Sequence, residues 1–575
     1  MRFCLWAGWM FAVQVLLAQV LFAQVLFAQA HHALFITEIM ADPTPSVGLP
    51  AYEWIEIRNG SGQSVQLQHW RVGTPTALSG PLPFYWLAPD SSLILCSNTA
   101  LPFLSTLGRT LAITGFPALD NDGTTIWLRH PSGRIMHAVS FDKSWYSNSL
   151  KAEGGWSLEM IDPTWPCAGK PNWKNSVHTR GGTPGSANSI ENLQTELSLP
   201  AVIHVYASTP DSLRIQFSGP IDSVWSVRPA LYRLGNSIEV IAARTIDLLH
   251  STIACKLNRP LQADTVYTLS IAGIKSCHAA DVGRATTLPT GLASVCRPSD
   301  VVINEILFNP RSGGSDFVEV LNNSKKIIDL STLYITHKQP GGTLGSFVRL
   351  SATPRLLFPN EFAAFSNDPL VVMQQYLVGS PLHFFQTHGF PSLPDEKGHL
   401  VLLDQQGDVI DELAYSKDWH FPLLQDAEGV SLERIDPKAR TQWLSNWHSA
   451  ASTAGFATPT QKNSQQPMNG PSEDDFSVYP RLFSPNLDGH DDVCTISYKS
   501  QQSGTLVSIQ ILDAAGRLVR VLAARTLLGT SGHWYWDGRD HQGQLLAAAN
   551  YLIVITQYSL QGKRNFYRFG VTLWH

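Results

Sequence analysis

Residues 35–62 read FITEIMADPTPSVGLPAYEWIEIRNGSG, and residues 302–324 return the same outline as VINEILFNPRSGGSDFVEVLNNS. Two more blocks repeat in the same order. FPALDNDGTTIWLRHPSGRIMHAVSFDKSW at 116–145 answers FPSLPDEKGHLVLLDQQGDVIDELAYSKDW at 390–419, and GWSLEMIDP at 155–163 answers GVSLERIDP at 429–437. Each copy closes in a tail bearing Trp, Thr and Pro, NWKNSVHTRGGTPGSAN and NWHSAASTAGFATPTQKN. Two copies this long and this far apart are a duplicated domain, because solenoid repeats are only about 20–50 residues and stack on their neighbours. Inside each copy the period is two. Trp54-Ile55-Glu56-Ile57 and Phe317-Val318-Glu319-Val320 are short alternating runs between turn residues. Thr124–Leu128 with Ile135, and His399–Leu403 with Val409-Ile410, read as hairpins around Pro131–Arg134 and Gln406–Asp408. The expected fold class is all-β, built of β-sandwich domains.

Composition agrees and narrows the class. The 575 residues suggest about four domains. Charged residues are 15% of the chain, 44% is hydrophobic and 17 residues are Trp, so there is ample apolar surface to bury and disorder is excluded as the main state. A net charge of −5 with no basic stripe argues against a nucleic-acid binder. The first thirty residues carry Arg2, an apolar run and Ala28-x-Ala30, which predict a cleaved export signal. Gln14, Gln19 and Gln24 interrupt the run before it reaches the roughly 20 residues of a membrane span, and no later segment approaches one. Of the six Cys left after cleavage, Cys96, Cys255 and Cys494 lie in apolar alternation and read as core residues, whereas Cys277 and Cys296 fall in turn-like sequence and could pair.

The string INEI…P…(Y/F)(V/I)E(I/V/L)·N, followed by the hairpin and G·SLE·IDP, resembles the lamin tail domain in its bacterial form, in both copies. That resemblance implies an immunoglobulin-like sandwich used as an accessory or interaction module of exported proteins, and with it an all-β fold of tandem Ig-like β-sandwich domains, beads on a string. Between the copies, SLRIQFSGPID and L·ADTVYTLSIAGIKSC resemble the Ig-like repeat of bacterial surface-layer and adhesin proteins, although His278–Gly283 departs from the Asp-x-x-Gly-Asn ending of that family. FSPNLDGHDD, from Phe483, and the Trp534–Asp540 string resemble the Ig-like domain of flagellar hook-capping proteins and the gliding-motility type of C-terminal domain. Placed last in the chain, such a domain resembles the sorting tails of type IX secretion. The resulting division is a signal peptide (1–30), a first lamin-tail-like domain (31–190), an Ig-like domain (200–295), a second lamin-tail-like domain (299–462), a linker (463–475) and a C-terminal domain (476–575).

Chemistry is sparse. There is no nucleophile elbow, zinc-protease helix or phosphate loop. Glu38 with Glu56, and Glu305 with Glu319, could be paired acids. Without a His or Lys partner, they read better as strand-end residues accepting backbone hydrogen bonds. Glu159 with Asp162, and Glu433 with Asp436, take the same structural reading, each Asp-Pro beginning a turn. Asn486, Asp488, Asp491 and Asp492 around Gly489 are the candidate calcium ligands, with a hydrogen-bonded Asx turn as the competing reading. Trp173 and Trp447 recur together and read as core anchors rather than a sugar platform. The expected function is a non-enzymatic, exported binding or adhesion array, at the cell surface or released. Its partner would be a surface protein or a glycan, and its C-terminal module would serve for sorting or docking. The alternatives are an accessory component of an exported hydrolase or nuclease system, and a calcium-dependent adhesin or glycan-binding protein.

Overall fold

The strings that open the two copies are antiparallel strand pairs with the same irregularity. Leu34–Met40 lies against Trp54–Asn59, with Glu38 opposite Glu56 and a bulge between Ile36 and Glu38. Val301–Leu307 lies against Phe317–Asn322, with Glu305 opposite Glu319 and the bulge between Ile303 and Glu305. The computed structural model describes residues 33–575 apart from 192, 194–198, 278–279, 281, 283–284, 425, 468–474, 501–503 and 560–561. The expected signal peptide, and most of the His278–Gly283 loop, lie outside the described residues.

The chain divides into two units, one running to Leu261 and including Tyr267–Thr290, the other comprising Gln262–Val266 and Gly291–His575. In the first unit, the duplicated module places a six-stranded sheet in the order Trp173–Asn175, Leu158–Met160, Leu34–Met40, Trp54–Asn59, Ser92–Cys96, Thr110–Ala112. A four-stranded sheet packs on it, containing the expected hairpin Gly123–Arg129 and Ile135–Asp142. Ile36, Ile39, Ile55, Ile57, Val72, Ile126, Leu128, Val139 and Trp173 fill the space between the sheets. This is a β-sandwich core: alternate residues of each strand point inward and interdigitate. The same unit carries a second sandwich, with Val202–Thr209, Ser212–Phe217, Thr252–Leu257 and Val240–Thr245 in one sheet and Tyr232–Leu234, Tyr267–Ile271 and Thr286–Thr290 in the other.

The second unit repeats the first module strand for strand. Its six-stranded sheet runs Phe384–Gln386, Phe362–Ser366, Phe317–Asn322, Val301–Leu307, Leu432–Arg434, Trp447–Ser449, and the hairpin Lys397–Asp404 with Val409–Ser416 lies in the facing sheet. A last sandwich follows. Asp475–Tyr479, Cys494–Lys499 and Ser531–Trp536 form three strands, facing five ordered Leu482–Phe483, Arg564–Leu573, Ala549–Tyr558, Leu506–Leu512, Leu518–Leu527. This sandwich is docked on its neighbour. Phe421 packs with Leu506 and Leu527, the Gln465 amide donates to Leu528 O, and the Thr453 and Tyr498 hydroxyls share a hydrogen bond of 2.8 Å. The all-β sandwich class therefore holds, but the modules of this unit touch through apolar and polar contacts rather than hanging on free linkers.

The cysteine reading needs one correction. Cys167 pairs with Cys277 across 110 residues, and Cys296 is a free, buried residue in the core of the repeated module. Pairing depends on Cα atoms within about 7 Å, which closeness along the chain does not predict. Cys96, Cys255 and Cys494 are buried as expected, and burial pushes the Cys96 thiol up to about 11.

Candidate functional site: two sealed carboxylate clusters

Direct register brings three glutamates together in each repeated module. Glu38 stands opposite both Glu56 and Glu159, and Glu305 opposite both Glu319 and Glu433. Cross-strand partners share a face, so the three carboxylates lie side by side, and like charges in that position repel. All six residues are within 1% of complete burial. They are therefore mid-strand and interior, not at strand ends as the sequence reading held. Glu159 and Glu433 join them, whereas Asp162 and Asp436 do form the expected turns, accepting from Thr164 N and Lys438 N.

The closing tail of each copy and the residues just after it supply most of the donors, and the Ser-Leu-Glu string supplies one more. In the first, Glu38 Oε1 accepts from Ser157 Oγ (2.6 Å) and Thr183 N (2.8 Å), Glu56 Oε2 accepts from Gly185 N (2.6 Å), and Glu159 Oε2 accepts from Ser189 Oγ (2.8 Å). The second copy matches it. Ser431 Oγ and Thr458 N donate to Glu305, Thr460 N and Asn304 Nδ2 to Glu319, and Ser464 Oγ and Gln465 N to Glu433. Asn463, Ser464 and Gln465, which begin the stretch read as linker, thus belong to this network.

One threonine hydroxyl is shared between two carboxylates in each copy. Thr183 Oγ1 lies 3.3 Å from Glu38 Oε2 and 3.1 Å from Glu159 Oε1, and Thr458 Oγ1 lies 3.2 Å from Glu305 Oε2 and 2.8 Å from Glu433 Oε1. A threonine hydroxyl has one proton to give. Protonation of one carboxyl of each pair, donating back to the threonine oxygen, would give each contact a proton of its own. Electrostatics agrees. Burial, then the neighbouring carboxylates, raises Glu38 well above the usual range; burial pushes Glu56 up to about 7, and burial with the charge of Glu433 pushes Glu305 up to about 8. Burial, then Glu305, raises Glu319 as well. A proton held between carboxylates relieves their repulsion at little cost, because the alternative is an uncompensated buried charge.

Such a cluster is a latch. Gly182 shows how closely the tail lies over the strands: a Cβ there would meet Glu38 Oε1 at 2.9 Å and Ser157 Oγ at 2.8 Å. These carboxylate oxygens accept from the chain's own donors. The repeating Ser-Leu-Glu string and the Thr-Pro of the tail were the signals that could have linked these residues in advance, since each recurs with the glutamates.

The other expected positions fall as follows. In the exposed loop after Phe483, Asp492 accepts from Leu487 N and Gly489 N, Asp488 accepts from His490 N and Asn486 Nδ2, and Asn486 Oδ1 accepts from Asp488 N; Asp491 contributes its backbone carbonyl to Ser484 N. The hydrogen bond from His490 N, and then that from Asn486, holds Asp488 below the usual carboxylate range. Among the described residues no group of three His, Cys, Asp or Glu is arranged to hold a metal ion. Trp173 and Trp447 are buried anchors, lying 6.2 Å from Trp145 and 6.5 Å from Trp419 between ring centres. Trp86, Trp443 and Trp574 are exposed. Among the described residues no helix is long and apolar enough to cross a membrane.

Fold and clusters define a tandem β-sandwich protein whose repeated module is closed by a buried acid latch. Residues 28–143 match the model of the Lamin Tail Domain family. No curated protein matches the chain. Among solved structures, the N-terminal part of the bacterial S-layer protein SbsC is 16% identical, with 30% of this chain and 42% of that chain covered and a TM-score of 0.16. PorZ, a surface component of the type-IX secretion system of Porphyromonas gingivalis, is 11% identical over 79% of this chain and 56% of that one, at a TM-score of 0.14. A Ca2+-stabilised, ice-binding adhesin of an Antarctic bacterium is 8% identical over 94% and 99%, at a TM-score of 0.11. At such scores none of these likenesses bears on function.

Proposed function

We propose that the chain is a non-enzymatic, exported interaction array, displayed on or released from a Gram-negative cell, in which Ig-like sandwiches present loops and strand edges to a surface protein or glycan. The second repeated module is taken as another lamin-tail-like domain, since it reproduces the sheet order and the acid latch of the first. The carrying observation is the Cys167–Cys277 disulfide, because structural disulfides form and persist in oxidising compartments outside the cytoplasm. The non-enzymatic reading is supported by the burial of Glu38, Glu56, Glu305 and Glu319, the best acid candidates of the sequence. The C-terminal module serves as the sorting or docking end.

The test is protease shaving of intact cells expressing the tagged chain, with and without residues 476–575. The full chain should be cleaved from outside or recovered in the medium; a protease-resistant, cell-retained chain overturns the export reading. Truncation should abolish shaving, with an intact Cys167–Cys277 bond certifying that the first unit has folded. A truncated chain still shaved at the surface refutes the sorting role. Calcium dependence is measured separately by melting in calcium and in chelator. Because Asp488 and Asp492 already accept from the loop's own amides, the expected outcome is an unchanged melting temperature. A rise with calcium that D488N and D492N abolish would instead assign the ion to this loop.

A further inference from the structure

Among the described residues, the five-stranded sheet of the C-terminal sandwich has a long open edge. Arg564–Leu573 pairs without a bulge along the whole of Ala549–Tyr558; on its other side, among the described residues, strand pairing covers Thr572 and Leu573 alone, by Leu482 and Phe483. Thr572 N and Trp574 N point to that side, donating to Arg481 O and Phe483 O. Backbone groups alternate along a strand, so the N–H and C=O of Arg564, Phe566, Arg568 and Gly570 point the same way, where no strand lies beside them among the described residues. The opposite edge of the same sheet is blunted. Leu518–Leu527 shifts register three times against Leu506–Leu512, and Arg525 sits at φ 52°. Bulges of this kind are a common defence against edge pairing. The Arg564–Gly570 edge has none.

Its chemistry narrows the partner. Arg564, Phe566 and Arg568 share one face and are exposed, Phe566 at 60%, with Lys563 and Arg481 exposed nearby. Neither this strand nor Ala549–Tyr558 contains an acidic residue. A second copy added antiparallel at this edge would set Arg564 and Arg568 among the same two arginines of its mate, an unfavourable juxtaposition. We propose that this edge takes up an extended acidic segment of another polypeptide as an added strand. Carboxylates at i and i+4 of that segment would flank Arg564 and Arg568, with an apolar residue at i+2 against Phe566. Main-chain hydrogen bonds would supply the affinity and the alternate side chains the selectivity. This deepens the docking role proposed for the module, yet is separable from it, because the binding test uses purified protein and display is read on cells.

The probe is the heptapeptide Thr-Glu-Val-Leu-Val-Glu-Thr, with a counterpart carrying Lys at both Glu positions, each titrated against the full-length chain. The acidic peptide should bind about tenfold more tightly, since two cross-strand charge pairs each contribute up to about fivefold. It should also slow hydrogen exchange at the amides of Arg564, Phe566, Arg568 and Gly570. R564E/R568E should reverse the preference, while R520E on the blunted edge should leave it unchanged. F566P removes an outward N–H without touching the pairing to Ala549–Tyr558, and should abolish binding while near-ultraviolet circular dichroism shows the sandwich intact. Equal binding of the two peptides, or binding without protection of those four amides, overturns the proposal. So does sedimentation of the wild-type chain as a dimer that F566P dissolves, which would give the edge to a second copy.

Discussion

The two repeated modules solve one problem alike and a neighbouring problem differently. Both bury three adjacent glutamates under one threonine, Thr183 or Thr458, and both open the central strand with a bulge. The bulge turns the N–H of Ile36, or Ile303, away from the ladder. In the first module that N–H is met by His137 Nδ1, whose Nε2 lies 2.8 Å from Pro166 O, and the next strand offers Met160. In the second it is met by Asp411, and Arg434 stands where Met160 does, donating to Asp411, to Ile303 O and to Ala439 O. A neutral ring beside a thioether and a buried ion pair thus fill the same space. The difference teaches that the acid latch belongs to the module, whereas the bulge's acceptor need only be a buried group whose charge, if any, is cancelled.

The largest effect should come from breaking that cancellation. R434M, which imports the residue of the first module, leaves Asp411 buried without its cation and should cost the second unit about 3–5 kcal/mol, read by chemical denaturation. Adding D411H rebuilds the arrangement of the first module and should restore most of the loss. No recovery would mean that the two solutions are not interchangeable. Next come the threonines. T183V and T458V keep shape but remove the hydroxyl from between two carboxylates, and each should destabilise its own unit by about 1–3 kcal/mol.

The glutamates also set a pH response. Their folded-state values are raised, Glu56 to about 7 and Glu305 to about 8, so the folded chain holds protons that the unfolded chain releases above about pH 4.5. Their contribution is complete below the unfolded value and is lost as pH rises toward 7–8. His420 acts oppositely: burial, and then the nearby His448, lowers it to about 4, so its contribution is lost as pH falls from about 6.5 toward 4. Calorimetry should therefore show the second unit most stable near pH 5–6, with its melting temperature falling toward pH 8. E305Q should flatten that alkaline decline, and a slope unchanged by E305Q would show that Glu305 is already ionised at neutral pH. The smallest expected effect lies in the tail. Gly185 has φ 79° and no room for a Cβ, which would meet Leu107 O at 2.6 Å, whereas the second module accepts Thr460 at φ 59° in its place. G185A should cost about 1–3 kcal/mol. T460G should change stability by less than about 1 kcal/mol, relief of the left-handed backbone offsetting loss of the hydroxyl that accepts from Ser380 N.

Much of this architecture was legible in the chain. Alternation and turn residues fixed the hairpins at Gly123–Asp142 and Lys397–Ser416, and recurrence marked Trp173 and Trp447 as anchors, because local periodicity and internal repetition are properties of the sequence itself. The third glutamate of each cluster was legible as part of a recurring Ser-Leu-Glu string, but not as a neighbour of the other two. Glu159 lies 121 residues from Glu38 and meets it only because a strand from the end of the module pairs with the strand that begins it. Cys167 and Cys277 were hidden in the same way, brought together by the packing of two sandwiches rather than by spacing. Sequence by itself determined which segments are strands and that the module occurs twice. Tertiary structure alone decided which buried groups face one another, since register and sheet order, not distance along the chain, set the contacts that shift a carboxyl group or close a disulfide.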